Sequence, residues 1–343
     1  MALLDAPNAG KIPRTPQGVT PLQKIFMRRF PDEAKRWSYM KKAILDPQRN
    51  PPANPAKTPI EDFAALSEEL KQMTLDLGAA AVGIADFDPR LTFTDADELD
   101  HKSVIVFVMP MSYDVMIEIG PRSQEDVHKT YFLLDELATR LAIRISSYGY
   151  DARVQANRGE IPLPAYAQLA GLGELGKHGS LISPEHGSAI RISAVSTDMP
   201  LTADGPRDFG IDEICANCDI CSRFCPGEAI PSQKVNVDGT VRWQINTPAC
   251  HPHFLRLYGC KVCLSVCPMN ARGVLKSQFK AVARDIREAK DAPGMLTLLN
   301  QRGDLKLEEF NTEAQTLTPE DHELEWWGKK MPLRTPNFGD LGD

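Results

Sequence analysis

The stretch Gly171-Leu172-Gly173-Glu174-Leu175-Gly176 reads G-x-G-x-x-G, and its meaning decides the fold. In a dinucleotide-binding fold this fingerprint follows a buried strand, opens a helix and is answered by an acidic residue about 20 positions on. The neighbours do not supply that frame. Upstream, Pro162 and Pro164 interrupt Glu160-Ile161-Pro162-Leu163-Pro164, and a central strand has no place for a residue without an N–H. Pro164 instead suits the first turn of a short helix over Ala165–Ala170, which Gly171 ends. Downstream, Lys177-His178-Gly179-Ser180 brings another glycine rather than a helix. The doubly wound reading is therefore set aside. The glycines still signal positive φ or a close backbone approach to something.

Outward from the motif, helical and strand patterns alternate. Thr58-Pro59-Ile60-Glu61 predicts a helix start, with Thr58 as cap, Pro59 in the first turn and Glu61 closing a capping box. Phe63, Leu66, Leu70, Met73 and Leu77 form its apolar stripe and Gly78 ends it. Val82–Ala85 and Ser103–Met109 read as buried strands. The second is an unbroken apolar run, as in a sheet covered on both faces. Ser123–Gly149 reads as a long helix through Val127, Tyr131, Leu134, Leu137, Leu141 and Ile145. Tyr150–Gln155 and Ile190–Thr197 are further strands. The pattern predicts an α/β (α+β) core over 60–208, joined by part of 273–343. Residues 1–59 are proline-rich and predict an extended arm with one helical piece, Leu22–Ile44. Ser277–Gln301 predicts a C-terminal helix, and a polar tail with Trp326-Trp327 follows.

Residues 209–272 contain all eight cysteines. The first group, Cys215, Cys218, Cys221 and Cys225, is C-x2-C-x2-C-x3-C-P. The second, Cys250, Cys260, Cys263 and Cys267, is C-x9-C-x2-C-x3-C-P. Three thiolates at x2 spacing fill three corners of one [4Fe–4S] cube, and the fourth corner comes from the other group, as in two-cluster ferredoxins. This assigns Cys215, Cys218, Cys221 and Cys267 to cluster one. Cys260, Cys263, Cys250 and Cys225 go to cluster two. Structural zinc uses separated pairs, which four cysteines within eleven residues do not form. Disulfides suit an exported chain.

The remaining totals exclude more than they assert. A net charge of -7 and a pI near 5.6 argue against non-specific nucleic-acid binding, which needs cationic surface. No apolar run reaches the ~18 residues of a membrane span. Pro31-Asp32-Glu33, not an apolar stretch, follows Arg28-Arg29-Phe30, so the expected location is cytoplasmic and away from membranes. A C-x3-C-x2-C radical motif and a D-x-H-x-x-G corrinoid loop are both missing.

The run Ile161–Leu201 holds the glycine-rich block, a G-x-x-x-R-x strand and Thr197-Asp198-Met199-Pro200-Leu201. With the two cysteine groups and Trp243 just before Cys250, it resembles the corrinoid/iron–sulfur reductive dehalogenases and, more distantly, the epoxyqueuosine reductases that act on tRNA. The resemblance spans about 60–275. It implies a nitroreductase-like cobalamin-binding core and a bacterial-type two-cluster ferredoxin module. It also implies a base-off cobalamin held without a histidine ligand. The glycine-rich segment, Gly171, Leu172, Gly173, Gly176, Lys177, Ser180, Leu181 and Ile182, is expected to lie against that corrinoid. By the same resemblance Tyr131 is the proton donor, Arg191 its cationic partner and Asn157 a side chain near the halide. The implied partners are a small organohalide and an external electron donor: a ferredoxin, flavodoxin or reductase. A homodimer is left open.

Other readings stand beside these. Tyr131 also lies on an apolar stripe, as a core tyrosine would. Arg191 also fits as a partner of Asp198 or of a helix end, and Asn157 as a turn residue before Arg158-Gly159. His178, His186, His251 and His253 are expected mostly in loop or surface roles. Asp126 stands near the aspartate donor of the tRNA-acting enzymes, although their C-terminal helical repeats find no match in 273–343. A third alternative is an electron-transfer protein whose body binds no corrinoid, or binds a flavin. The second cysteine group ends Cys267-Pro268-Met269-Asn270, without the aromatic residue expected after the proline.

Overall fold

The computed structural model describes residues 31–270, apart from Thr94, 117–120, Arg158, 238–239 and Leu257, together with short strands at 324–326 and 329–331. The expected helix at Ser277–Gln301 lies outside the described residues, as does the arm before residue 31.

The body contributes six strands. They are β1 (Ala81–Asp86), β2 (Ser103–Pro110), β3 (Ala152–Gln155), the two-residue β4 (Glu174–Leu175) and β5 (Leu181–Ile182), and β6 (Ile190–Thr197). Five α-helices accompany them: α1 (Asp32–Met40), α2 (Phe63–Asp76), α3 (Tyr113–Met116), α4 (Pro121–Ser147) and α5 (Leu163–Leu169). The central sheet runs β1-β2-β6-β3, and every pairing in it is antiparallel. It is therefore an α+β sheet in which no neighbouring strands are parallel; β2 and β3, both antiparallel to β6, run parallel to each other and are joined through α4 as a split βαβ unit. The glycine motif follows helix α5 and runs into the β4–β5 hairpin, which is not the frame of a nucleotide loop.

The apolar run of β2 explains why the sheet is covered twice. Successive side chains of a strand point to opposite faces. Ile105 and Phe107 face α2 and α4, joining Leu70, Leu134, Leu137, Leu141 and Ile145 in one core. Val104, Val106 and Val108 face α5, packing with Ala165, Tyr166 and Ala170 in a second. Ile84, Ile105, Val195 and Val154 stand opposite one another across the four strands, so register and burial agree.

Helix α2 starts later than its sequence suggests. Asp62, not Thr58, is the cap, its Oδ1 accepting from the N–H groups of Ala64 at 2.9 Å and Ala65 at 3.0 Å. The Thr58 N–H donates to Tyr148 O at the end of α4 at 2.9 Å, which keeps that stretch extended. The described part of the arm packs on the body. Helix α1 lies along α4, with the Trp37 and Phe132 rings 5.4 Å apart. A π-turn at Lys41–Leu45 then brings Lys41 into an ion pair with buried Asp135.

The cysteine-bearing segment contains four short α-helices and one hairpin. These are α6 (Ile211–Asn217), α7 (Ile220–Phe224), the strands β7 (Val235–Val237) and β8 (Thr240–Arg242), α8 (Thr247–Arg256) and α9 (Val262–Ser265). A single 3-10 turn, Pro268–Asn270, closes it. Leu324–Trp326 and Lys329–Met331 pair as a further antiparallel hairpin, β9 and β10.

Candidate functional site

Tyr131, Asn157 and Arg191 come from three elements: the middle of α4, the loop after β3 and the start of β6. They line one cavity of about 130 Å³. Its walls are largely apolar, from Leu163, Pro164, Leu181, Ile190, Ile192 and Leu264, with the hydroxyls of Ser180 and Ser188 among them. Tyr131 is half-buried at the cavity and also packs against the buried cluster of Met111, Met116, Val127 and Leu264. The Arg191 guanidinium lies over the Tyr131 ring, 5.5 Å from its centroid. Arg191 is not paired with Asp198, which faces Lys57 at 3.5 Å. Its Nε is buried without a hydrogen-bond partner among the described residues, leaving a donor for something bound. Asn157 is exposed at the rim.

Behind Tyr131 stands His128, ring to ring at 6.0 Å. Burial lowers its pKa, and the charges of Arg191, Lys261 and Lys41 lower it further, against a hydrogen bond to Gln124 O. Lys261 is itself buried, its Nζ donating to Tyr258 O at 2.8 Å. Burial and the neighbouring Arg191 charge bring its pKa down to about 7. Asp126 does not line the cavity; its carboxylate accepts from the Ser112 N–H at 3.2 Å.

The glycine-rich segment divides in two. Ser180 and Leu181 line the cavity with Tyr131. The rest, Gly171, Leu172, Gly173, Gly176, Lys177 and Ile182, lies outside the lining of that cavity. At Gly173, with φ +156°, a Cβ would collide with the Ile182 carbonyl of β5; at Gly171, with φ +72°, it would meet Gly205 O at 2.7 Å. The close approach these glycines allow is to the chain itself. Gly176 packs likewise on the Ile182 side chain, and Leu172 belongs to the core under α5. Between the glycines, Glu174 Oε2 accepts from the N–H groups of Phe209 at 2.8 Å and Ile211 at 2.9 Å. It satisfies the start of α6, which has no side-chain cap of its own. Lys177 and Ile182 turn toward the cysteines.

Cys215, Cys218, Cys221 and Cys267 surround one void, closed by Lys177, His178, Ile182, Ile214, Pro268 and Met269. None of the eight cysteines is in a disulfide. Among the described residues no three His, Cys, Asp or Glu side chains converge as ligands of a single ion do. The sulfurs stand around a space, which is compatible with a polynuclear cluster. Burial, against a hydrogen bond from the Lys177 N–H, pushes the Cys215 thiol up to about 12. Four such thiols are a poor place for bare negative charge and a good one for thiolates neutralised by metal. The other four form a second group. Burial pushes Cys260 to about 12 and raises Cys263 well above its ordinary value; Cys225 and Cys250 add to both.

Sequence reasoning missed Asn270 as a functional contact. It is buried, and its Oδ1 accepts from the Ser188 N–H at 2.9 Å. Its amide donates to Ser188 Oγ at 3.2 Å and to Leu264 O. It thus ties the end of the second cysteine group to the cavity wall. The only signal was that asparagine stood near the place of an expected aromatic. His178, in a turn, and His253, on α8, are also buried.

No family model matches the chain. It is 32% identical over 254 residues to a tetrachloroethene reductive dehalogenase of Desulfitobacterium hafniense, covering 69% of this chain and 45% of that protein. It is 33% identical over 144 residues to an epoxyqueuosine reductase of Lactococcus garvieae, covering 40% of this chain and 39% of that one. The chain thus spans less than half the length of these curated relatives. Among solved structures, the catabolic reductive dehalogenase NpRdhA, in complex with 3-bromo-4-hydroxybenzoic acid, superposes with a TM-score of 0.67 at 24% identity, covering 83% of this chain and 44% of its own. A second solved reductive dehalogenase structure gives 0.68 at 24%, covering 84% of this chain and 45% of its own. Through sequence and fold together, the chain is a homologue of the reductive dehalogenases over most of its length, with a more distant likeness to the epoxyqueuosine reductases.

Proposed function

We propose that the chain is a cobalamin-dependent iron–sulfur oxidoreductase that removes halide from an organohalide, R–X plus two electrons and a proton giving R–H and X⁻. The observation that carries this reading is the meeting of Tyr131, Asn157 and Arg191 on one small, mainly apolar cavity. A bound corrinoid would supply a low-valent cobalt able to deliver electrons to a carbon–halogen bond. The cavity's hydroxyl and apolar walls at Ser180, Ser188 and Leu181 offer contacts for one face of such a group. The two cysteine groups fit a pair of [4Fe–4S] clusters in a ferredoxin-like module, reduced by an external ferredoxin, flavodoxin or reductase.

Within this reading the chain's own residues hold the substrate and move one proton. The apolar wall excludes water from the reacting carbon. Tyr131 Oη gives up the proton, and the Arg191 guanidinium over its ring stabilises the phenolate left behind. The unpartnered Arg191 Nε and the Asn157 amide are the donors available to an anionic group or departing halide. The tRNA-acting alternative fits less well, because Asp126 is tied to the Ser112 N–H. The test is anaerobic reconstitution with cobalamin, followed by halide release from aryl and alkyl halides. Tyr131→Phe should bind cofactor normally yet turn over at least about 100-fold more slowly. Halide release at the normal rate would assign the donor elsewhere, and a flavin spectrum in the extracted cofactor would sink the corrinoid itself.

A further inference from the structure

Lys177 is one of two lysines buried among the described residues, at 1% exposure. Placing an ammonium there costs several kcal/mol unless it is well partnered. Its Nζ donates to Asp219 Oδ1 at 2.7 Å and Ser232 O at 3.1 Å. The Trp243 ring lies 4.8 Å away and is fixed by its own hydrogen bond to Asp212 at 2.9 Å. The residue is firmly held, and it is held against the void enclosed by Cys215, Cys218, Cys221 and Cys267. Its backbone N–H also donates to Cys215 Sγ at 3.4 Å.

The two charges of the Lys177–Asp219 pair are unequal in effect. Asp219 is 35% exposed and Lys177 1%, so water screens the carboxylate while the ammonium acts through a low-dielectric interior. The void therefore feels net positive charge. A cluster held by four thiolates gains one further negative charge on reduction, and its potential responds to nearby charge and to hydrogen bonds on its sulfurs. Lys177 supplies both. We propose that Lys177 tunes the cluster held by Cys215, Cys218, Cys221 and Cys267, its buried ammonium and backbone N–H favouring the reduced state. This rests on the reading of those four cysteines as [4Fe–4S] ligands.

Reconstituted full-length chain, titrated redox-wise and followed by electron paramagnetic resonance, tests both levels separately. Lys177→Met should keep about eight irons per chain and make one cluster about tenfold harder to reduce, which is about 59 mV for a one-electron couple. Lys177→Arg should restore most of the shift. Asp219→Asn should move the same cluster the opposite way. The second cluster serves as internal reference and should not move. Unchanged potentials in Lys177→Met with both clusters present would overturn the proposal. So would loss of a cluster in Lys177→Met combined with an unshifted Asp219→Asn, since the lysine would then be structural. Lack of four-iron signals in the unaltered chain would instead remove the cysteine reading beneath it.

Discussion

His128 shows how one buried ring links stability to the site. It lies near the charges of Arg191 on β6, Lys261 before α9 and Lys41 in the arm, while its Nδ1 bonds the Gln124 carbonyl on its own helix. Its folded pKa lies below the ordinary 6.5, so below that pH the folded chain binds fewer protons than the unfolded one. The stability tied to neutral His128 is therefore full above about pH 6.5 and declines as the pH falls through that value. Thermal melts between about pH 7.5 and 5.5 should show a falling Tm that is flatter in His128→Gln; equal slopes would place the pH sensitivity elsewhere. Residue by residue, the site was only partly legible. Tyr131, Asn157 and Arg191 are far apart in sequence, and the resemblance alone brought them together. The glycines announced that a Cβ was excluded, but not by what: the excluding atoms are Ile182 O and Gly205 O. Lys177 could not reveal Asp219 as its partner, 42 positions away.

At the level of elements, periodicity was a good guide and pairing was hidden. Helix α4 was readable because its stripe, Val127 to Ile145, repeats at helical spacing through about five turns, and β2 because an unbroken apolar run has few other uses. The insertion of β6 between β2 and β3 follows from no local signal, because any of these strands offers the same alternating faces to a neighbour. The start of α2 was misplaced for a specific reason. Thr58 and Asp62 are both competent caps, and the tie is broken by Tyr148 O, which takes the Thr58 N–H. Asp62→Ala should accordingly cost about 1 kcal/mol in chemical denaturation, while Thr58→Ala should cost much less. Equal losses would return the cap to Thr58.

On the scale of the whole molecule, the cysteine-bearing segment is gripped by the body at both ends. Glu174 holds the amides at the start of α6, and Asn270 pins the end of the segment to Ser188. Glu174→Ala leaves two N–H groups without their acceptor, at about 1–3 kcal/mol for each that stays buried. Iron should then be lost to a chelator faster from Glu174→Ala and from Asn270→Leu than from the unaltered chain, with far-UV circular dichroism of the body retained. Unchanged iron loss would mean that the grips only decorate the seam. The twofold use of the glycine block, as cavity wall at Ser180 and Leu181 and as bracket at Glu174 and Lys177, needed the three-dimensional contact to be seen.

On the proposed reading of the cysteines as cluster ligands, the two grips also bear on how metal is acquired. Cys215 and Cys267 lie about 50 residues apart, and closing a free loop of that length costs about 3.5 kcal/mol in chain entropy from its length-dependent part alone. With Glu174 and Asn270 engaged, the folded body meets that cost before any iron arrives. Ligand assembly then becomes a local closing of side chains rather than a folding reaction, unlike small metallo-domains whose binding energy must also fold them.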